Sequence, residues 1–171
     1  HYPEAFRWYS LSAEQGYPPA EFAMYRFCSL GLGTQKSKKD ADEWLMKAAD
    51  HGSPEAAVIY AKRLDTRDAG PEEESRALSW YMKAAEQNDP TALFHIGMAY
   101  ESGRVVPQDF GKSISYYEKA AELGNTEATF HLGELYYSSF SVPRNIPKAV
   151  RYFERAASSG NLKAKGILAE L

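Results

Sequence analysis

A pair of small residues, usually two alanines, returns every 36 residues along this 171-residue chain, and this spacing limits the possible folds most. The pairs are Ser12-Ala13, Ala48-Ala49, Ala84-Ala85, Ala120-Ala121 and Ala156-Ala157. Three positions after each pair comes a residue type that accepts a left-handed backbone, at Gly16, Gly52, Asn88, Gly124 and Gly160. A fixed period of this length over nearly the whole chain predicts an array of stacked structural units.

The residues that lead up to each pair have the spacing of one face of an α-helix. In the last copy, Ala149, Tyr152, Phe153 and Ala156 occupy positions i, i+3, i+4 and i+7. Because large side chains alternate with alanines on this face, a second helix can approach closely at the alanines while the aromatic rings fill the wider gap. The glycine or asparagine that follows is typical of a residue that ends a helix.

Another helix is predicted directly after each of these stops. Ser53-Pro54 and Asp89-Pro90 have the pattern of an N-cap followed by proline in the first helical turn. The predicted ends of this helix are Gly31, Gly103 and Ser139. The repeating unit is therefore a helix hairpin, which cannot bury its own apolar face and is stable only when stacked on a neighbour.

These patterns predict an all-α protein in which one solenoid domain covers residues 1–171. The predicted helices span 3–15, 18–30, 38–51, 54–66, 73–87, 90–102, 110–123, 126–138, 146–159 and 162–171. We expect four full repeats, at 18–52, 53–88, 89–124 and 125–160, with a half repeat at each end. Both ends fall within a repeat, so we expect the array to belong to a longer one.

Three consecutive motifs carry a family resemblance. They are A-x-x-x-L-G-x-x-Y, G-x-x-V-P-x-D and A-x-x-Y-Y-x-K-A-A-E-x-G-N, and their best copies run from Ala92 to Asn125 and from Ala128 to Asn161. In this pattern the chain resembles the Sel1-like repeat family, a relative of the tetratricopeptide repeats. Tyr25 and Ala61 depart from it, because they stand at the position of Gly97 and Gly133.

The resemblance implies a right-handed α/α superhelix whose concave face is lined by the first helix of each hairpin. It also implies a non-catalytic scaffold or adaptor that binds a protein or peptide partner on that face. Two alternatives remain open: an immunity-type or regulatory inhibitor that blocks a partner enzyme or toxin, and an architectural segment that spaces flanking domains.

Composition excludes several classes of partner. The net charge of −3 gives no electrostatic basis for binding nucleic acid. No apolar run approaches the roughly 18–20 residues that a membrane span needs, so we expect no membrane insertion. The single cysteine, Cys28, rules out an internal disulfide framework and is interpreted as a buried apolar residue.

Enzyme motifs are incomplete. The sequence GKS at 111–113 resembles the end of a phosphate-binding loop, but Val106 replaces the glycine that this loop requires. The sequence GLG at 31–33 lacks the rest of a dinucleotide-binding fingerprint, and no serine is followed three positions later by lysine, as in serine β-lactamases. We therefore predict no catalytic residue and no cofactor.

Two histidines one repeat apart define the candidate binding surface. His95 and His131 would lie roughly 10 Å apart on stacked helices, which is too far to share a zinc ion. The predicted partner-binding residues are Phe94, His95, Met98, Phe130, His131 and Glu134, with Lys62 and Arg26 at the matching positions of earlier copies. In the alternative interpretation, the rings of Phe94 and Phe130 pack between hairpins.

Overall fold

The computed structural model describes residues 1–66, 68–138 and 142–171, and within them it contains ten α-helices and no strand. The helices are α1 (Tyr2–Ala13), α2 (Pro18–Leu30), α3 (Lys38–Asp50), α4 (Pro54–Leu64), α5 (Pro71–Ala85), α6 (Pro90–Ser102), α7 (Phe110–Glu122), α8 (Thr126–Ser138), α9 (Ile146–Ser158) and α10 (Leu162–Glu170). The all-α prediction is confirmed, with boundaries within about two residues. The predicted stop at Ser139 lies outside the described residues.

Side-chain caps fix the starts of most helices. The hydroxyl of Ser53 accepts a hydrogen bond from the Ala56 amide, and the Asp89 carboxylate accepts one from the Ala92 amide. Each bond satisfies an amide that has no partner inside the helix. The two predicted N-caps are therefore confirmed, and the same role falls to Ser37, Asp109, Asn125, Asn145 and Asn161.

The predicted helix stops have the left-handed backbone that the sequence pattern indicates. Gly52 has φ +99° and Gly124 has φ +91°, whereas Asn88, with φ +58°, is the only non-glycine residue of the described chain with positive φ. The Asn125 amide then donates back to the Ala120 carbonyl, which closes the turn between α7 and α8. A short, sharp turn of this kind returns the chain alongside the helix that it has just left.

The described chain forms two compact units, unit 1 (residues 1–87) and unit 2 (residues 88–171). In unit 1, α2 packs on α3 and α4 packs on α5; in unit 2, α6 packs on α7 and α8 packs on α9. Neighbouring hairpins are joined by α3 packing on α4 and by α7 packing on α8. None of the described helices has both the length and the apolar character that a bilayer span requires.

The periodic alanines form the contact between packed helices. Ala48, Ala120 and Ala156 have no exposed surface, and Ala49 and Ala121 are also buried. In unit 2, a β-carbon added to Gly97 would lie 2.6 Å from the Tyr117 ring, and one added to Gly133 would lie 2.6 Å from the Phe153 ring. These two glycines are therefore required by the closest helix–helix approach in their hairpins.

Candidate functional site

Aromatic contacts bring the predicted site residues of unit 2 together. The rings of Phe94 on α6 and His131 on α8 lie 5.4 Å apart, although they are 37 positions apart in the chain. His131 also stacks on the buried ring of Tyr117, at 5.8 Å between centroids and 27° between planes. The first helices of two successive hairpins thus share one surface that is backed by the core of unit 2.

His95 and Met98 extend this surface along α6. The His95 ring is half-buried and contacts Phe94 edge to face at 5.5 Å. Met98, one turn further, is 40% exposed. We call the surface formed by Phe94, His95, Met98, His131 and Glu134 the α6–α8 face.

Phe130 does not belong to the accessible surface. Its side chain is only 3% exposed and packs with Phe153, Ala156 and Ala164 in a core cluster between hairpins. Phe130 precedes His131 by one position, and a helix turns by about 100° per residue, so the two side chains point in different directions. The structure therefore places Phe130 in the core, as in the alternative interpretation.

The two basic candidates lie in the other unit. Arg26 on α2 and Lys62 on α4 are both exposed. Next to Lys62, Arg63 forms an ion pair with Asp42 at 2.6 Å and lies over the Tyr25 ring at 5.9 Å. Unit 1 thus presents basic side chains on its own first helices.

A cleft of about 240 Å³ opens beside His131 and is lined by Glu101, His131, Glu134, Leu135 and Ser138. The Glu134 carboxylate lies 3.6 Å from Nδ1 of His131. Tyr117 donates its hydroxyl to Glu101 at 2.6 Å, so the Glu101 side chain is held in place at the rim. The sequence pattern missed Glu101, although it follows Met98 by three positions and so lies on the same side of α6.

Burial and negative charge raise the pKa of Tyr117 above its ordinary value. Desolvation is the largest cause, followed by the hydrogen bond to Glu101 and then by the charges of Glu101 and Glu134, while Ser113 acts in the opposite direction. The hydroxyl therefore stays protonated and remains a donor to Glu101. Both carboxylates also line the cleft and contribute negative potential there.

The sequence pattern also did not predict a buried carboxylate in unit 1. Glu21 is 1% exposed, and both of its carboxylate oxygens lie 2.8 Å from Nδ1 of His51, whose side chain is 50% exposed. A buried charge of this kind requires a partner, and His51 supplies it from the end of α3. This pair is structural, because its carboxylate is inaccessible.

The cysteine of unit 1 is poorly suited to nucleophilic chemistry. The prediction that Cys28 is a buried residue is confirmed, and burial followed by the nearby Asp40 charge raises the pKa of its thiol. A raised pKa disfavours the nucleophilic thiolate. Within residues 1–66, 68–138 and 142–171, no three side chains among His, Cys, Asp and Glu are arranged to hold a metal ion.

Comparisons with known proteins assign the repeat. The family model described as Sel1 repeat matches residues 2–17, 22–53, 54–89, 90–125 and 126–161. The structure of a Sel1 repeat protein from Oxalobacter formigenes is 32% identical, with a TM-score of 0.82, and the match covers 99% of this chain and 50% of that one. An immunity protein from Pseudomonas aeruginosa is 27% identical, with a TM-score of 0.60, and the match covers 93% of this chain and 58% of that one.

A chitin synthase regulator of Malassezia restricta is 38% identical over 63 residues, which make up 37% of this chain and 4% of the regulator. The chain thus spans half of the Oxalobacter protein and a small part of this regulator. The predicted resemblance to Sel1-like repeats is confirmed by the family model that matches along the chain. The solenoid fold class is confirmed by the ten helices of the described residues and by the likeness to a solved Sel1 repeat structure. The chain belongs to the Sel1 repeat family.

Proposed function

We propose that this chain is a non-catalytic interaction module that binds a protein or peptide partner through the α6–α8 face. Sel1 repeat proteins are generally protein-interaction scaffolds. The observation that carries the proposal is the contact between Phe94 and His131, which joins partly exposed side chains of two hairpins into one surface. Aromatic side chains and methionine are enriched at protein interfaces, as they are here.

The packing beneath this face supports a binding role. Phe94 and His131 both rest on the buried Tyr117 ring, so their positions are set before a partner arrives. A pre-ordered surface loses less side-chain entropy on association than a flexible one. Arg26 and Lys62 are proposed as further partner contacts on the first helices of unit 1.

Affinity capture from the native source, followed by purification of the captured protein, tests the proposal. The purified partner is then titrated against the wild-type chain and against a variant with Met98→Ala and His131→Ala. Met82→Ala is a matched control, because Met82 is 39% exposed and Met98 is 40% exposed. We expect weaker binding for the α6–α8 face variant and no change for the control; the reverse pattern would contradict the proposal.

A second candidate function is inhibition of a partner enzyme. The likeness to an immunity protein from Pseudomonas aeruginosa favours it. In that case the captured partner is an enzyme, and one equivalent of this chain abolishes its turnover. If the captured enzyme keeps full activity in the saturated complex, the inhibitor function is contradicted and the scaffold function is retained.

A further inference from the structure

One register position changes the sign of its charge along the chain. Successive copies, 36 residues apart, place Arg26, Lys62, Met98 and Glu134 at this position. The first two lie in unit 1 and are basic, whereas Glu134 lies in unit 2 beside the cleft and is acidic. A shared structural role would not require this change of charge. The side chain at this position therefore gives each hairpin a different surface charge.

The cleft beside Glu134 is open, polar and negative. Its two carboxylates come from Glu101 on α6 and Glu134 on α8, and the described residues that line the cleft with them include His131 but no lysine or arginine. Glu101 accepts the Tyr117 hydroxyl with one oxygen, and its side chain also lines the cleft. Glu134 is 44% exposed, so its carboxylate is accessible from solvent.

An aromatic wall lies directly beside these carboxylates. The His131 ring lines the cleft and is held by Phe94 at 5.4 Å and by Tyr117 at 5.8 Å. Its side chain remains 32% exposed. A planar group that enters the cleft can therefore lie against a fixed ring while its edge meets a carboxylate.

We propose that this cleft receives an arginine side chain from the partner segment that binds the α6–α8 face. The inference rests on the proposed function and specifies the chemistry of its partner. A guanidinium group is planar, stacks on aromatic rings and donates several hydrogen bonds at fixed angles. It can thus use the ring of His131 and the carboxylates of Glu101 and Glu134 together.

Lysine fits these features less well. Its ammonium group is a compact charge without a planar face, so it gains from the carboxylates but not from stacking. An acidic or purely apolar segment would cover both carboxylates of the cleft without supplying a positive charge, which is unfavourable. The proposal therefore predicts preferences in the order arginine, lysine, then uncharged and acidic residues.

Selection from short random peptides displayed on phage tests this order. The full chain is the target, alongside a variant with Glu101→Gln and Glu134→Gln, in which the new amide oxygen at position 101 can still accept the Tyr117 hydroxyl. The matched control carries Glu127→Gln and Glu154→Gln, which remove the same charge from exposed positions of α8 and α9. Circular dichroism checks that all three chains are equally helical.

We expect peptides selected on the wild-type chain to be enriched in arginine, and the enrichment to persist on the control and disappear on the cleft variant. A selected arginine peptide should bind the cleft variant about tenfold more weakly, since hydrogen bonds to charged groups are lost. Replacing its arginine by citrulline, which is nearly isosteric and uncharged, should weaken binding to the wild-type chain similarly.

The outcomes separate this inference from the proposed function. Peptides that bind the α6–α8 face without arginine enrichment, or with equal enrichment on the cleft variant, would overturn the inference and leave the function. Failure to select any peptide on this face, together with a captured partner that binds elsewhere, would overturn both.

Discussion

Units 1 and 2 are built from the same 36-residue hairpin, yet they fill the closest approach of its helices differently. In unit 2, Gly97 and Gly133 lie against the rings of Tyr117 and Phe153. At the same register, unit 1 has Tyr25 in the hairpin that contains Leu45 and Ala61 in the hairpin that contains Tyr81. The largest residue on the first helix thus accompanies the smaller, aliphatic residue on the second.

Glycine or alanine on the first helix thus accompanies a buried aromatic ring on the second helix in three hairpins, whereas Tyr25 accompanies Leu45 in the hairpin of α2 and α3. Leu45, Tyr81, Tyr117 and Phe153 are all buried, although the residue that accompanies each of them differs. Close packing makes the two positions interdependent, because added volume has no void to occupy. Tyr25 and Ala61 are therefore compatible with the hairpin although they break the family pattern.

The units also differ in buried polar groups. Unit 1 contains the Glu21–His51 pair, whereas the register of Glu21 holds Leu93 and Thr129 in unit 2. Tyr81 and Tyr117, by contrast, have the same arrangement in both units, with hydroxyls that donate to Asp65 at 3.5 Å and to Glu101 at 2.6 Å. Some polar contacts thus follow the repeat, and others belong to one hairpin alone.

The largest expected effect is at Gly97 of unit 2, which lies against the Tyr117 ring. Gly97→Leu should reduce the free energy of unfolding by about 3 kcal/mol, because even its β-carbon would meet the Tyr117 ring. Tyr25→Leu, at the same register in unit 1, should cost less than about 1.5 kcal/mol, since a large side chain already occupies that site. Urea denaturation measures both. Equal costs would show that the two hairpins do not differ in packing.

A smaller effect is expected at the Glu21–His51 pair of unit 1. His51→Ala should reduce the free energy of unfolding by about 1–3 kcal/mol at neutral pH, because it leaves the Glu21 carboxylate buried without its partner. Adding Glu21→Leu, which introduces the residue type found at Leu93, should restore most of the loss. If the second change adds to the loss instead, Glu21 has a stabilising role beyond its pairing with His51.

The helices, their caps and the buried alanines could be predicted from sequence because each recurs in several copies and depends on local rules. Asp89 and Gly124, for example, act through neighbouring backbone groups. Features confined to one hairpin could not be found in this way. The Glu21–His51 pair joins residues 30 positions apart, and neither residue recurs at its register.

Recurrence also decides what could be predicted of the candidate site. His95 and His131 were found because they repeat. Glu101 has an acidic counterpart in Asp65 one copy earlier but the aromatic Tyr137 one copy later, so its register does not repeat through unit 2. The burial of Phe130 depends on Phe153 and Ala164 from two later helices, so its own helix could not indicate it.

The smallest effect is expected at the tyrosine hydroxyls. Tyr117→Phe should cost about 1 kcal/mol, and Tyr81→Phe less, because its hydrogen bond is longer. Folding raises the pKa of both hydroxyls above 10.0, so their contribution to stability is complete below that pH and is lost as the pH rises through the folded-state values. The free energy of unfolding should therefore fall less steeply with rising alkaline pH in the variant that carries both Tyr81→Phe and Tyr117→Phe than in the wild-type chain. An unchanged slope would contradict the raised pKa values.

The most direct test of the central claim is a hydrogen-exchange footprint of the full chain with the purified captured partner bound. Binding through the α6–α8 face predicts slower exchange at the exposed ends of α6 and α8 and in the segments around Met98 and Glu134. The exchange rates of the second helices, α7 and α9, should remain unchanged. Protection confined to α7 and α9 would contradict the claim that the first helices of unit 2 hold the partner.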